Sequence, residues 1–484
     1  MGIEVGLTQM NILFVAGLSA GFFAWRQIVK KKEALFDKED IPSFAEVPFF
    51  YIPPFSSSQV SDSDSDTNCI NKDLYVVLEK FKNDCDTIIS SLIASYEIAI
   101  KSEWSVISDN DDNADDNFSN MIEQRIKNTA SVLEYDYLLL EKLLKPAHLT
   151  LALPSSAGAK QWTPVLNDSH EESSSYDSGM QIITHIVRDW SEQGTLSRDS
   201  LYQWCISELI SHGMRNEPVL VPGAGLGRLA RDISLAGFNV QANELSLVMS
   251  TVAYHFLNGN VDKSYVHPFA FDFLINEVTA SDRYQKIEFS NSIDDEFVSN
   301  LGGIQKGSLS YTIGDFVEVY SQREQRGTYG SIVTCFFIDT ASNIYEYLLV
   351  IRNALKGGGR WINVGPLQWH SNAKLHPSGD ELQNIIKSMG FRIESWNVDD
   401  KAINYRHDDT NEDTRHTKFE GYRPLRFVAT LPPRIRHELG NENAAEKIMQ
   451  MRNDLSAKKG QQTRRKDPNP KYEATSHVTI TEIN

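Results

Sequence analysis

Two periodicities divide the chain. Apolar residues recur at helical spacing over Asp73–Ala99 (Leu74, Val77, Leu78, Phe81). They do so again over Asn120–Lys145 (Ile122, Ile126, Val132, Leu133 and Leu138 to Leu140), which predicts an antiparallel helical pair. Gly179–Trp190 and Ser200–His212 read as two further helices. From about Pro218 short β-branched runs alternate with helical stretches. That is the βαβ pattern of an α/β fold with a doubly wound, mostly parallel sheet. Its strands read as Val219–Val221, Asn239–Asn243, Leu309–Gly314, Ser331–Ile338 and Arg360–Val364. Past Pro433 the chain turns polar and partly basic (Lys458, Lys459, Arg464, Arg465, Lys466), as a disordered tail does.

The N-terminus follows neither pattern. Val5 to Trp25 carries no charge, and Arg26, Lys30, Lys31 and Lys32 follow at once. A bilayer span needs about 20 apolar residues, and basic residues after it hold that flank in the cytosol. Residues 7–25 are therefore expected to anchor a cytoplasmic body to an intracellular membrane, and the alternative is a helix packed on that body. Gly17 and Gly21 form a GxxxG pair suited to helix contact in a homodimer. The expected organisation is an anchor over 1–33, a linker over 34–70 and a helical region with acidic loops over 71–178. The α/β domain then spans 179–433 and a tail 434–484.

Charge narrows the partners. The chain holds 65 acidic and 47 basic residues in 484, a net −18. Sixteen of the acids fall in four runs, Asp62–Asp66, Asp109–Asp116, Asp168–Asp177 and Asp408–Asp413, which read as solvated loops. Such a balance argues against a surface built to hold nucleic acid, so no nucleic acid partner is expected. The four cysteines lack CxxC spacing, so neither a disulfide scaffold nor a metal site is expected.

The chemistry gathers at strand ends. Val219 to Ala230 reads as a buried strand, a glycine-rich turn and a helix start, with Gly223, Gly225 and Gly227 at GxGxG spacing. Glycines let the backbone turn tightly and approach a ligand without Cβ atoms in the way. Glu244 ends the next strand, 21 residues after Gly223, where an acid hydrogen-bonds ribose hydroxyls. Asp315-Phe316 follows the third strand and suits an adenine, although Asp315 would also serve as an ordinary helix cap. This set favours S-adenosyl-L-methionine over a nicotinamide dinucleotide. Asp339 follows the most apolar strand and points at the ligand crevice, or caps the next helix. His370 lies past the strand that follows.

Longer blocks then carry a resemblance. VPGAGLGRLA (221–230), ANELS (242–246), GDFVEVY (314–320), TCFFIDTASN (334–343) and GGGRWINVGPLQWH (357–370) resemble the signature blocks of the carnosine N-methyltransferase family. VRDWSEQG (187–194) resembles its upstream block, and the likeness runs over about Gly179–Thr430. It implies a Rossmann-like class I methyltransferase fold that methylates an imidazole nitrogen of a small histidine-containing peptide such as carnosine, giving anserine. It also implies that Arg188, Gly223, Glu244, Asp315, Phe316 and Cys335 contact the methyl donor, with Gly225 and Gly227 completing the turn. Asp339, His370 and Tyr422 match the family's substrate-holding residues. The chain departs from the family at His185 (glutamine there), Ser342 (histidine there), Gln368-Trp369 and the block around Tyr422. Those departures leave open a protein histidine or another small imidazole as substrate. A membrane-tethered binding protein without activity is the alternative from another class. In the methyl-transfer reading, Asp339 accepts the N–H of the substrate imidazole and stabilises the imidazolium that develops. His370 orients the substrate or relays a proton.

Overall fold

The run Val-Leu-Val-Pro is buried at every position, as suits a strand with neighbours on both edges. The structure, a computed structural model, describes residues 65–98, 112–144, 178–271, 277–291, 305–404, 421–433, 444–462 and 478–480. The strands are β1 Val219–Pro222, β2 Val240–Glu244, β3 Ser264–Val266, β4 Ile287–Phe289, β5 Leu309–Ile313 and β6 Tyr329–Cys335. They continue as β7 Leu355–Gly365, β8 Arg392–Val398, β9 Ile403–Asn404, β10 Gly421–Tyr422, β11 Leu425–Thr430 and β12 Val478–Ile480.

Eight of these form one sheet in the order β12-β5-β2-β1-β6-β7-β11-β8. Pairing is parallel from β5 through β2, β1 and β6 to β7. β11 runs antiparallel between β7 and β8, and β12 runs antiparallel on β5. The expected doubly wound, mostly parallel sheet is thus present, together with helices N-terminal to it. Chain order reverses between β1 and β6, which opens a crevice at their carboxyl ends.

Helices cover the sheet by burying one stripe each. Helix Gly179–Trp190 buries Ile182, Ile183, Ile186, Val187 and Trp190, and Ser178 caps its start by accepting from Gln181 N. Trp361 and Phe427 meet edge to face at 4.8 Å, within a cluster that includes Leu348, Ile351 and Leu382. Each such side chain contributes roughly 1.5–3 kcal/mol on burial. His267 donates its backbone N–H to Asp136 Oδ2 at 3.1 Å and sets Nδ1 3.0 Å from Oδ1. This pair ties the end of helix Asp112–Leu143 to the residue after β3. By its contacts the chain divides into two units. The smaller includes residues 86–98 and 112–130, and the larger includes 65–85 and everything described from 131 onward.

Several boundaries differ from the sequence reading. The first helix runs Ser65–Ile98, so its start lies inside the stretch assigned to a linker. The second begins at Asp112, so Asp112, Asp115 and Asp116 of the acidic run lie in its first turns instead of a loop. Negative charge is stabilising beside the N–H groups that open a helix. β6 stops at Cys335, not Ile338, because Phe336 takes a left-handed φ of 51° and breaks the extended run. The segment past Pro433 carries a helix, Ala444–Gln462, and the edge strand β12. Ala444, Ile448 and Met451 recur at helical spacing there, with Ile448 buried in the cluster and Met451 packed against it. The run at residues 7–25 and the linker up to residue 64 lie outside the described residues. Among those described, no helix is long and apolar enough to cross a membrane.

Candidate active site

β1 ends at Pro222, and the chain turns through Gly223 (φ 64°), Gly225 (φ 54°) and Gly227 (φ 79°) into helix Arg228–Leu235. A Cβ on Gly227 would stand 2.7 Å from Leu257 Cδ1, on a backbone that side-chain-bearing residues rarely adopt. The turn is held from β2. Asn243 O accepts from Ala224 N at 2.9 Å, and Glu244 Oε2 accepts from Gly225 N at 2.9 Å. Tyr311 on β5 donates its hydroxyl to Gly225 O at 2.6 Å. Glu244 therefore stands against the glycine turn.

At the end of β5, Asp315 caps helix Phe316–Tyr320 by accepting from Glu318 N at 2.9 Å, which is the cap reading of this residue. Phe316 is buried edge-on to Phe337, with centroids 5.2 Å apart, and against Tyr347 at 5.3 Å.

Helix Gly179–Trp190 brings Arg188 and His185 to the same turn. The Cβ direction of Gly225 points to His185 Nδ1 at 3.7 Å and to an Arg188 terminal nitrogen at 3.8 Å. Arg188 forms a two-pronged ion pair with Asp189, Nε to Oδ1 at 2.6 Å and Nη2 to Oδ2 at 2.9 Å. Tyr202 donates to the same Oδ1 at 2.8 Å. Burial would raise the Asp189 pKa, but the Arg188 guanidinium, with His185 and Tyr202, outweighs it and holds the carboxyl below its ordinary value. Burial and the nearby Arg188 charge push His185 down to about 3, so this imidazole is neutral at physiological pH. Asp189 and Tyr202 were missed by the sequence reading. Asp189 sits inside the VRDW block, but nothing local in the sequence points Tyr202 toward it.

Across the crevice, β6 delivers Cys335. Burial raises its thiol to about 12, with Arg188, Asp189 and Asp339 also acting on it, so it is a neutral wall and not a nucleophile. The next residue, Phe336, is held in its left-handed conformation while its N–H donates to Val364 O at 2.9 Å. Its ring meets Tyr422 edge-on at 6.2 Å, which brings Tyr422 from β10 to this strand end.

Asp339 is 6% exposed and does not cap the following helix. Asn343 takes that role by accepting from Tyr345 N at 3.2 Å. Asp339 Oδ2 instead accepts from Gln368 N at 3.2 Å, and Asp339 O accepts from His370 N at 3.3 Å. These bonds lace the loop after β7 to the segment after β6, so Asp339 and His370 belong to one constellation. Burial raises the Asp339 pKa to about 7 against the pull of backbone donors, and lowers that of His370. Near neutrality the site thus holds a carboxyl poised between its two forms, on a segment joined through the main chain to that of His370. No cluster of three or more His, Cys, Asp or Glu side chains able to hold a metal occurs among the described residues.

A doubly wound sheet with a glycine turn at its switch point and acids at the next two strand ends defines an α/β fold of the class that takes ligands in that crevice. The sequence comparisons narrow that class. The model of the carnosine N-methyltransferase family matches residues 166–432, more than half of the chain. The chain belongs to this family. It is 34% identical over 233 residues to carnosine N-methyltransferase of Schizosaccharomyces pombe, covering 44% of this chain and 61% of that protein. It is 37% identical over 226 residues to the Rattus norvegicus enzyme of the same name, covering 44% and 54%. The match therefore spans between half and two thirds of these relatives. Among solved structures, phosphoethanolamine N-methyltransferase 2 of Haemonchus contortus aligns at a TM-score of 0.33 and 13% identity, over 54% of this chain and 58% of that one. A match at that level adds nothing to the sheet order described above.

Proposed function

We propose that the chain is an S-adenosylmethionine-dependent N-methyltransferase. Its substrate in this reading is an imidazole nitrogen of a small histidine-containing peptide, carnosine being the leading candidate and anserine its product. The observation that carries the reading is Asp339. A buried carboxyl at the switch-point crevice, with a pKa near 7 and its main chain bonded to that of His370, suits a substrate that must become cationic as it reacts.

Glu244 would hold the donor's ribose hydroxyls, the glycine turn would admit its backbone-close portion, and Asp315-Phe316 would bound the adenine. The donor supplies a methyl group on a sulfonium, which an imidazole lone pair displaces in line while the C–S electrons stay on sulfur. Above pH 7 the Asp339 carboxylate would accept the N–H of the other imidazole nitrogen. That selects the tautomer whose lone pair faces the methyl group and offsets the charge appearing on the ring. His370 and Tyr422 would hold the rest of the peptide. Most of the rate gain comes from holding the two reactants in line.

Calorimetry with S-adenosylhomocysteine and with NAD tests the donor, and mass spectrometry after incubation with carnosine and S-adenosylmethionine tests the substrate. Tight S-adenosylhomocysteine binding with no NAD binding, and a mass gain of one methyl group, are expected. Donor binding without carnosine methylation would move the substrate to another imidazole, a reading that exposed Ser342 and Gln368 favour. Residues 7–25 are proposed as the membrane anchor on their uncharged run and basic flank. Fractionation of the full chain, with and without residues 1–32, tests that assignment.

A further inference from the structure

The candidate donor site has a sign asymmetry. Glu244 and Asp315 mark the β2 and β5 side of the glycine turn, while Arg188 stands beside Gly225 and acts on Cys335 at the β6 side. A donor with its ribose at Glu244 would direct its amino-acid end, which bears a carboxylate, toward the arginine. An arginine recognises a carboxylate well only when its planar fork is fixed beforehand. Arg188 is fixed from behind. Its fork grips Asp189 through two bonds, and Asp189, 1% exposed, is pinned in turn by the Tyr202 hydroxyl at 2.8 Å.

Tyr202 reaches Asp189 because Asp199–Gln203 forms a π-helical turn between helices Thr195–Arg198 and Trp204–His212. Such wide turns recur at functional sites. This one is locked from outside. Arg426 on β11 donates to Ser200 O at 2.8 Å and to Ser200 Oγ at 3.0 Å, and its guanidinium lies 5.3 Å from the centre of the Trp204 ring. Asp399 holds Arg426 through bonds of 2.7–2.9 Å.

We propose that Tyr202 and Asp189 are positioning residues for donor binding, orienting Arg188 toward the carboxylate of the donor's amino-acid end. This rests on the methyltransferase reading above. Neither residue touches the donor in this account.

The test uses the full chain, the variant Tyr202→Phe and two ligands. S-adenosylhomocysteine has the amino-acid end, and 5′-methylthioadenosine keeps the nucleoside and sulfur but lacks it. Tyr202→Phe is expected to weaken S-adenosylhomocysteine binding by about 10- to 100-fold, the effect of one hydrogen bond to a charged group. Binding of 5′-methylthioadenosine should stay at the wild-type level, which also shows that the variant is folded. Equal weakening of both ligands, or of neither, overturns the proposal. Failure of the wild-type chain to bind S-adenosylhomocysteine would instead overturn the donor reading itself, so the two failures are read on different proteins.

Discussion

Asp339 concentrates the energetics of the site in one side chain. Burial lifts its pKa from 3.8 to about 7, so the folded state disfavours its charged form. The sign follows from linkage. Below pH 4 the group is protonated folded or unfolded, and no penalty applies. Between pH 4 and 7 the unfolded chain releases a proton that the folded chain keeps, and stability falls. Above pH 7 the cost is complete, on the order of a few kcal/mol. Asp339→Asn is therefore expected to raise the thermal midpoint at pH 8 and to leave it nearly unchanged at pH 4. Catalysis should move the other way. Both the Asp339 carboxyl and a free imidazole substrate, with a pKa of about 6.5, must be deprotonated. Log kcat/KM should then fall with a slope approaching 2 as pH drops below about 6. In Asp339→Asn, residual activity should show a slope approaching 1. Gly227→Ala makes a prediction of a different kind. The left-handed φ and the 2.7 Å approach to Leu257 should cost about 1–3 kcal/mol in urea unfolding. Glu244 could be placed at a strand end from the sequence because the count from Gly223 runs within one βαβ unit, whereas its bond to Gly225 N came from the fold. Asp339 could not be assigned that way, because a cap and a site acid look alike until Asn343 is seen to take the cap.

Among the elements, helix Ala444–Gln462 departs furthest from expectation. Its sequence is polar overall, and its few apolar residues find partners about a hundred positions earlier in the chain. Ile448 is buried, and Arg452 bonds Glu346 Oε2 at 2.6 Å on helix Ile344–Ala354. Glu346 in turn accepts from Asn343, the cap four residues past Asp339. Ile448→Ala is expected to cost about 2–4 kcal/mol by large-to-small substitution in a packed cluster, read from denaturant midpoints. The shortened β6 has a similar explanation. Phe336 and Phe337 continue the apolar run that identified the strand, but the backbone turns at Phe336 to bring its ring to Tyr422. Hydrophobicity marks where a strand passes through the core, and where it stops depends on what it meets.

For the whole molecule, the donor should act as a stabiliser. A ligand that binds the folded chain alone adds about 2.7 kcal/mol at one hundred times its Kd. S-adenosylhomocysteine is expected to raise the thermal midpoint progressively with concentration, and NAD to leave it unchanged in the same assay. The net charge of −18 plays no part in this, since its surplus lies in four runs outside the signature blocks. Their neighbourhood in the fold could not be inferred from charge alone, as the start of helix Asp112–Leu143 within one of them illustrates.

The sequence by itself determined the five parallel strands at the centre of the sheet, the glycine turn and the acids at its strand ends. These depend on local alternation, on glycine's tolerance of left-handed backbone and on distances counted within one supersecondary unit. It also determined family membership, because long ordered blocks survive change elsewhere. Tertiary structure alone decided which side chains meet across the crevice. Tyr202 lies 13 residues from Asp189, and Arg426 lies 226 from Ser200. The Asp339 pKa likewise depends on how completely the fold removes water from one carboxyl. Contacts and burial of this kind belong to the packed molecule, and no local pattern encodes them.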